Sequence, residues 1–207
     1  MAVCYIAGAS PEAVRIRPGP GDFLIAADGG WEHLARWGLR ADLLMGDMDS
    51  LGAIPEGVPC KRFPRVKDDT DLSLAIEEAI ARGYAHIIVT GAWGGRPDHS
   101  LANLQLLARA AGRGIDARML CGEYTATAIA EGSVLRLKGK GTVSVFAYGG
   151  EAQGVTVRGL EYPLEGATLH DDTPLGVSNT LNGEGIITLE HGILLVYYEE
   201  DIECVIA

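Results

Sequence analysis

A strand-like apolar run ends at Gly46 and is followed by two aspartates two residues apart, Asp47 and Asp49. Residues i and i+2 of an extended chain point to the same side, so both carboxylates are expected to project together from the end of this strand. Two carboxylates held close repel each other unless a proton or a cation lies between them. Mg²⁺, which prefers oxygen ligands, suits such a pair. A polar turn that only ends the strand is the alternative, since Gly, Asp and Ser are common in turns.

Continuous apolar runs also occupy residues 2–7, 23–27 and 86–90. Such runs are typical of strands buried on both faces of a parallel sheet. Two helices are predicted from apolar residues that recur with helical spacing. These residues are Leu72, Ala75, Ile76, Ala79 and Ile80 in one helix and Leu101, Leu104, Ala108 and Ala111 in the other. The first part of the chain is therefore predicted to be an α/β domain with a mostly parallel, Rossmann-like sheet.

The pattern changes at about residue 116, after which short apolar runs alternate with polar residues and are separated by glycines. The clearest runs are residues 134–137, 142–146, 155–157, 186–189 and 193–197. Alternation of this kind is typical of a β-sandwich or barrel. We therefore predict an α/β domain in residues 1–125 and an all-β sandwich in residues 126–207.

Two more segments of the first part carry acidic residues. The triplet Asp28-Gly29-Gly30 follows the second apolar run, and its glycines permit positive φ and let a ligand approach the backbone. An ordinary strand-to-helix turn explains this triplet equally well. Residues 67–71, Lys-Asp-Asp-Thr-Asp, open the first predicted helix, where capping and the helix dipole account for at least one of the three acids. The other carboxylates exceed that need, and some are expected to lie near the aspartate pair at the end of the strand.

A glycine-rich loop at residues 91–95 leads into the second predicted helix. Loop amides and helix N-termini bind phosphate groups, and Arg96 can add a charge-assisted contact. His99 and Asn103 share one face of the helix because they are four residues apart, although a surface histidine without a ligand is the more ordinary interpretation. The loop is not a Walker loop, since the Gly-Lys-Ser/Thr ending is absent.

Composition excludes some classes of function. The formal charge of −11 argues against a nucleic-acid partner, which requires a basic surface. The four cysteines, Cys4, Cys60, Cys121 and Cys204, are scattered without a Cys-x-x-Cys spacing, a pattern typical of free thiols in a reducing compartment. No apolar run approaches the roughly 18 residues of a membrane span. We therefore expect a soluble cytoplasmic protein.

Together these segments resemble the motifs of the thiamine pyrophosphokinase family, and they occur in the same order. The matching segments are residues 27–30, 46–50, 67–72, 91–99 with Asn103, and 177–179. The resemblance implies an α/β domain followed by a β-sandwich, in agreement with the change of pattern. It also implies a homodimer, with ATP and Mg²⁺ on the α/β domain and thiamine near the dimer interface. Residues 126–207 would then supply the thiamine side of the site and the dimer contacts.

The resemblance also assigns roles to single residues. By their place in the motifs, Asp47, Asp49 and Asp71 resemble the metal ligands, and Ser178 and Asn179 resemble the thiamine-side loop. The residues expected to bind ATP are Asp28, Gly29, Gly30, Lys67, Asp68, Arg96, Asp98, His99 and Asn103. His99 departs from the family, in which Gln is frequent at this position, so its role stays open.

The implied reaction transfers the pyrophosphoryl group of ATP to the hydroxyl of thiamine and gives thiamine diphosphate and AMP. The hydroxyl must attack the β-phosphorus, so negative charge develops on the phosphoryl oxygens and on the departing AMP. Mg²⁺, Arg96 and the loop amides would neutralise this charge, and Asp71 or Asp98 could accept the hydroxyl proton.

Three alternatives stay open at this point. The same apparatus could act on another hydroxyalkyl heterocycle, such as a pterin. A phosphatase of the haloacid dehalogenase type would use Asp47 as a nucleophile, but that motif normally follows the first strand and continues with Thr or Val, where this chain has Ser50. A non-catalytic dimer that binds nucleotide or thiamine is the third, and the intact set of acids argues against it.

Overall fold

The structure of the protein is a computed structural model that describes residues 2–47, 57–63 and 69–207. The chain forms two compact units. The first comprises Met1–Leu106 with Met119–Gly122, and the second comprises Leu107–Arg118 with Glu123–Ala207. Because these units are not contiguous in sequence, the division between residues 125 and 126 stays a prediction. None of the helices in the described ranges is long and apolar enough to cross a membrane.

The first unit contains a parallel sheet with helices. Its elements in chain order are β1 (Cys4–Ala7), β2 (Phe23–Ala27), α1 (Gly30–Arg36), β3 (Leu43–Gly46), β4 (Cys60–Arg62), α2 (Asp71–Ala81), β5 (His86–Thr90) and the first part of α3 (Pro97–Ala111). The strand order is β5-β1-β2-β3-β4, and all neighbours are parallel. β1, β2, β3 and β5 are the continuous apolar runs of the sequence, and most of their residues are buried.

The strand order of this sheet reverses at β1. The chain builds β2, β3 and β4 on one side of β1 and then returns to place β5 on the other side. Open α/β sheets bind their ligands beyond the carboxyl ends of the strands at such a reversal. A ligand site is therefore expected at the segments that follow β1 and β5.

One helix face differs from the sequence prediction. In α3, Leu101 was expected on the buried face, but it is 58% exposed. The polar Asn103 is buried instead, together with Leu107 and Ala111. Asn103 is drawn inward because its side-chain amide donates a hydrogen bond to the carbonyl of Ala92, a partner that helical spacing of apolar residues does not reveal.

The second unit is antiparallel. β6 (Asp116–Cys121) is divided between the two units, and β7 (Tyr124–Ala130), β8 (Val134–Ala147), β9 (Ala152–Leu160), β10 (Leu164–Leu169), β11 (Asn179–Thr188), β12 (Ile193–Glu199) and β13 (Glu203–Ile206) follow. The order is β10-β9-β11-β8-β12-β7, with β13 paired to β8. The runs at 134–137 and 142–146 are one strand, β8, which passes through Gly139 and Gly141 with positive φ. Buried side chains from six of these strands form one hydrophobic cluster.

Candidate active site

A cleft of about 450 Å³ lies in the first unit, beyond the carboxyl ends of β1 and β5. It is lined by residues 8–11, 27–28, 69–72, 91–92 and 94–96, with His99 and Asn103. Five predicted site residues therefore line one cleft: Asp28, Asp71, Arg96, His99 and Asn103. Four other predicted and described residues of this unit are not part of its lining: Gly29, Gly30, Asp47 and Asp98. Asp49, Lys67 and Asp68 lie outside the described residues.

The glycine-rich loop after β5 forms one wall of the cleft. Gly91, Gly94 and Gly95 have φ values of 62°, 79° and 69°, a left-handed conformation in which a side chain is strained. A Cβ atom on Gly91 would also collide with the carbonyl oxygen of Gly8, which follows β1. Glycine at position 91 thus lets the ends of the two strands approach each other closely.

Polar side chains hold this loop from two sides. From α3, the Asn103 Nδ2 donates to the Ala92 oxygen at 2.6 Å, and the Ser100 Oγ accepts from the Gly94 nitrogen at 3.1 Å. From the segment after β1, the Ser10 backbone nitrogen donates to the Gly91 oxygen at 2.8 Å. The Ser10 hydroxyl lies within hydrogen-bond distance of the carbonyl oxygens of Trp93 and Gly94. Sequence analysis did not identify Ser10 or Ser100, although Ser10 follows a strand just as the predicted motifs do.

Three carboxylates line the same cleft. Asp28 follows β2, and Asp69 and Asp71 belong to the start of α2. The N-cap of α2 is Thr70, whose side chain accepts a hydrogen bond from the Ser73 nitrogen at 3.1 Å. The cap is therefore not one of the acids, and Asp69, which carried no predicted role, accepts from the Ser73 hydroxyl at 2.8 Å.

Asp28 has an unusual backbone conformation. Its φ is +49°, whereas Gly29 has a φ of −62° and Gly30 is not among the positive-φ residues. Within this triplet the residue with positive φ is therefore Asp28 and neither of the two glycines. Gly30 is required for packing, because a Cβ atom there would collide with the carbonyl oxygen of Ala7. The Asp28 nitrogen also donates to the Met45 oxygen at 2.7 Å, which fixes the end of β2 beside the end of β3.

Arg96 and Asp98 form a two-pronged ion pair at the start of α3. The Arg96 Nη2 lies 2.6 Å from the Asp98 Oδ2, and the Nε lies 3.1 Å from the Oδ1. Both side chains are exposed. The hydrogen bonds from Arg96 lower the pKa of the Asp98 carboxyl below its usual value. The ion pair therefore favours the charged form of the Asp98 carboxyl.

The predicted metal ligands are only partly described. Asp71 lines the cleft, and Asp47 follows β3 directly. Within residues 2–47, 57–63 and 69–207, no three His, Cys, Asp or Glu side chains are grouped as a metal centre. The carboxylates of Asp28, Asp69 and Asp71 nevertheless supply the kind of oxygen donor that Mg²⁺ prefers.

Ser178 and Asn179 lie in the second unit, at the start of β11. Ser178 is exposed, has a φ of +59°, and its nitrogen donates to the Ser144 Oγ at 3.0 Å. The side-chain amide of Asn179 donates to the Tyr162 oxygen at 2.7 Å and accepts from the Tyr162 nitrogen at 2.9 Å. Asn179 thus holds the turn between β9 and β10, whereas Ser178 is exposed.

Comparisons with known proteins give matches to both parts of the chain. A family model described as "Thiamin pyrophosphokinase, catalytic domain" matches residues 20–119, and one described as "Thiamin pyrophosphokinase, vitamin B1 binding domain" matches residues 133–194. A thiamine pyrophosphokinase from Bacillus subtilis is 27% identical over 186 residues, which cover 86% of this chain and 87% of that protein.

Two solved structures extend the comparison to the fold. A crystal structure of thiamin pyrophosphokinase from Geobacillus thermodenitrificans has a TM-score of 0.84 at 26% identity and covers 96% of this chain and 98% of that one. The crystal structure of thiamine pyrophosphokinase from Bacillus subtilis has a TM-score of 0.86 at 23% identity and covers 97% and 100%. The latter likeness shows the fold alone.

Proposed function

Because the chain belongs to the thiamin pyrophosphokinase family, we propose that it transfers the pyrophosphoryl group of ATP to the hydroxyl of thiamine and releases AMP. The observation that carries this proposal is the cleft, where carboxylates from two elements and a glycine loop held by hydrogen bonds line the same space. Polyphosphate binding requires both a cation and oriented N–H donors, and these residues can provide both.

ATP would bind at the reversal of the sheet. The N–H groups of the glycine loop would contact phosphate oxygens, and Asp28, His99 and Asn103 would contribute the rest of the nucleotide site. Arg96 uses two of its five N–H groups for Asp98, so the others can contact a phosphate. Gly29, Gly30, Lys67 and Asp68 stay predicted contributors.

Mg²⁺ would be held by Asp71 together with Asp47 and Asp49. When bound, the ion would neutralise negative charge on the phosphate oxygens and align them. Asp28 and Asp69 line the cleft with Asp71, which increases the negative charge available to a cation. Asp71 and Asp98 stay the two predicted proton acceptors, since the ion pair with Arg96 lowers the pKa of Asp98 and a cation bound to Asp71 would make that carboxylate less basic as well.

Analysis of the nucleotide products tests this function. With ATP, Mg²⁺ and thiamine we expect AMP and thiamine diphosphate in equal amounts, separated by chromatography. Asp71→Asn should abolish AMP formation, whereas Asp201→Asn, which removes an exposed carboxylate of the second unit, should leave it unchanged. Accumulation of ADP, release of phosphate from a phosphomonoester without an acceptor, or AMP formation with a pterin but not with thiamine would contradict the proposal.

We further propose that the first unit is a Rossmann-like nucleotide domain and the second a β-sandwich on the thiamine side. The parallel sheet of the first unit and the antiparallel strands around one buried cluster in the second support this. The chain would act as a homodimer in the cytoplasm, where its four cysteines stay free thiols. Thiamine would contact Ser178 and the turn that Asn179 stabilises, at the interface with a partner subunit.

Mixed dimers test whether the site is shared. Asp71→Asn removes the metal side, and Ser178→Gly removes a hydroxyl while it tolerates the positive φ. If each site combines two chains, random pairing makes half of the dimers mixed, each with one intact site, and co-refolding restores about a quarter of wild-type activity. No recovery, with mixed dimers detected by native mass spectrometry, would show that each site belongs to one chain.

A further inference from the structure

A buried histidine is linked to the wall of the cleft without lining it. His33 lies on α1 and is only 6% exposed. Its Nε2 lies 2.9 Å from the carbonyl oxygen of Ser10, and its ring stacks on Trp37 with centroids 5.8 Å apart. Ser10 in turn lines the cleft and bonds to the glycine loop.

The contact between His33 and Ser10 shows which ring nitrogen of His33 carries a hydrogen. A carbonyl oxygen can only accept, so the Nε2 must carry the hydrogen and donate it. The Nδ1 is buried and has no hydrogen-bond partner among the residues that the structure describes. The ring of His33 therefore donates one hydrogen bond, from its Nε2 to the Ser10 carbonyl.

Ser10 is also hydrogen-bonded to the glycine loop. Its backbone nitrogen donates to the Gly91 oxygen, and its hydroxyl lies 3.1 Å from the Gly94 oxygen. Ser10 is thus hydrogen-bonded to α1 through His33 and to the glycine loop through Gly91 and Gly94. A displacement of Ser10 would change the loop conformation in which N–H groups are presented to the cleft.

We propose that His33 is a positioning residue, which fixes Ser10 and through it the glycine loop for ATP binding. The link to ATP rests on the proposed function; the link to the loop rests on the hydrogen bonds alone. If the Nε2–H donor is lost, a half-buried carbonyl loses its partner and the loop gains freedom, so ATP binding weakens whereas thiamine binding does not.

Two amide substitutions separate donation from packing. In His33→Gln the side-chain nitrogen can occupy the place of Nε2, whereas in His33→Asn it can reach only the place of Nδ1. We expect His33→Asn to raise KM for ATP about tenfold, as for a lost buried hydrogen bond, with KM for thiamine changed less than about twofold. His33→Gln should restore both constants to nearly wild-type values.

Hydrogen exchange of residues 91–95, measured without ATP or thiamine, tests the positioning itself. Exchange should be faster in His33→Asn than in wild type and should return to the wild-type rate in His33→Gln. This result is decisive even if product analysis finds no AMP, so failure of the proposed function and failure of the positioning are distinguishable. If His33→Asn does not fold, His33→Met, which fills the space and donates no hydrogen bond, replaces it. Equal behaviour of the two variants, or unchanged exchange in the non-donating one, would overturn the proposal.

Discussion

Asp28 combines a carboxylate in the cleft with a φ of +49°. Two substitutions separate these properties. Asp28→Gly removes the carboxylate and relieves the left-handed strain, whereas Asp28→Ala removes the carboxylate and keeps a Cβ atom in the strained conformation. Because both variants lack the carboxylate, every contact that it makes cancels when the two are compared.

The expected difference follows from two opposing effects. A side chain in the left-handed region costs roughly 1–2 kcal/mol, which Asp28→Ala retains and Asp28→Gly loses. Glycine in turn favours the unfolded chain by about 0.4–1 kcal/mol because it has more conformational freedom there. Asp28→Gly should therefore unfold with a free energy about 1 kcal/mol higher than Asp28→Ala.

Urea unfolding of the two variants, followed by circular dichroism, measures this difference, and AMP formation is assayed on the same samples. Both variants should be nearly inactive, because the proposed nucleotide site loses a carboxylate in each. Without left-handed strain only the entropy effect of glycine would remain, so a higher stability of Asp28→Ala than of Asp28→Gly would refute the left-handed conformation of residue 28. Full activity of Asp28→Gly would refute a role for the carboxylate, even if the strain argument holds.

Three further outcomes are expected from other parts of the first unit. Thr70→Ala should lower the free energy of unfolding by about 1 kcal/mol, since it removes the N-cap of α2, and Thr70→Ser should retain it in the same urea titration. A thiol reagent near pH 8 should label the exposed Cys60 rapidly, and Cys60→Ser should remove the fast phase. Burial raises the pKa of the Cys4 thiol to about 12, so Cys4 should react only after unfolding. Gly91→Ala should destabilise the protein by more than about 1 kcal/mol, measured by thermal unfolding, since the residue has positive φ and contacts Gly8.

The strands of the first unit were predictable because burial on both faces selects continuous apolar residues. The structure places β2 and β5 on residues 23–27 and 86–90, as the sequence indicates. α2 was predictable for a similar reason, since its apolar residues recur with helical period and Thr70 precedes it. These features depend on residues that are close in sequence.

The features that escaped prediction depend on partners far away in sequence. Ser10 bonds to residues more than 80 positions later, and nothing in the local pattern distinguishes it from any turn serine. The role of Asn103 as a nucleotide contact stays a prediction, whereas its hydrogen bond to Ala92, which fixes the loop, could not be predicted. The sequence indicates that the glycines at 29 and 30 permit positive φ, whereas the need for glycine at position 30 arises from Ala7, a packing contact that no local pattern shows.

Backbone strain gives an independent reason to assign function to two predicted residues. Among the described residues, twenty glycines have positive φ, and the non-glycine residues with positive φ are Asp28 and Ser178. Glycine would adopt either conformation at a lower cost, by about 1 kcal/mol at each position. A residue that retains its side chain at this cost points to a use for the side chain, and such strain is concentrated at functional sites. Removal of the Asp28 carboxylate or of the Ser178 hydroxyl should therefore affect activity more than stability.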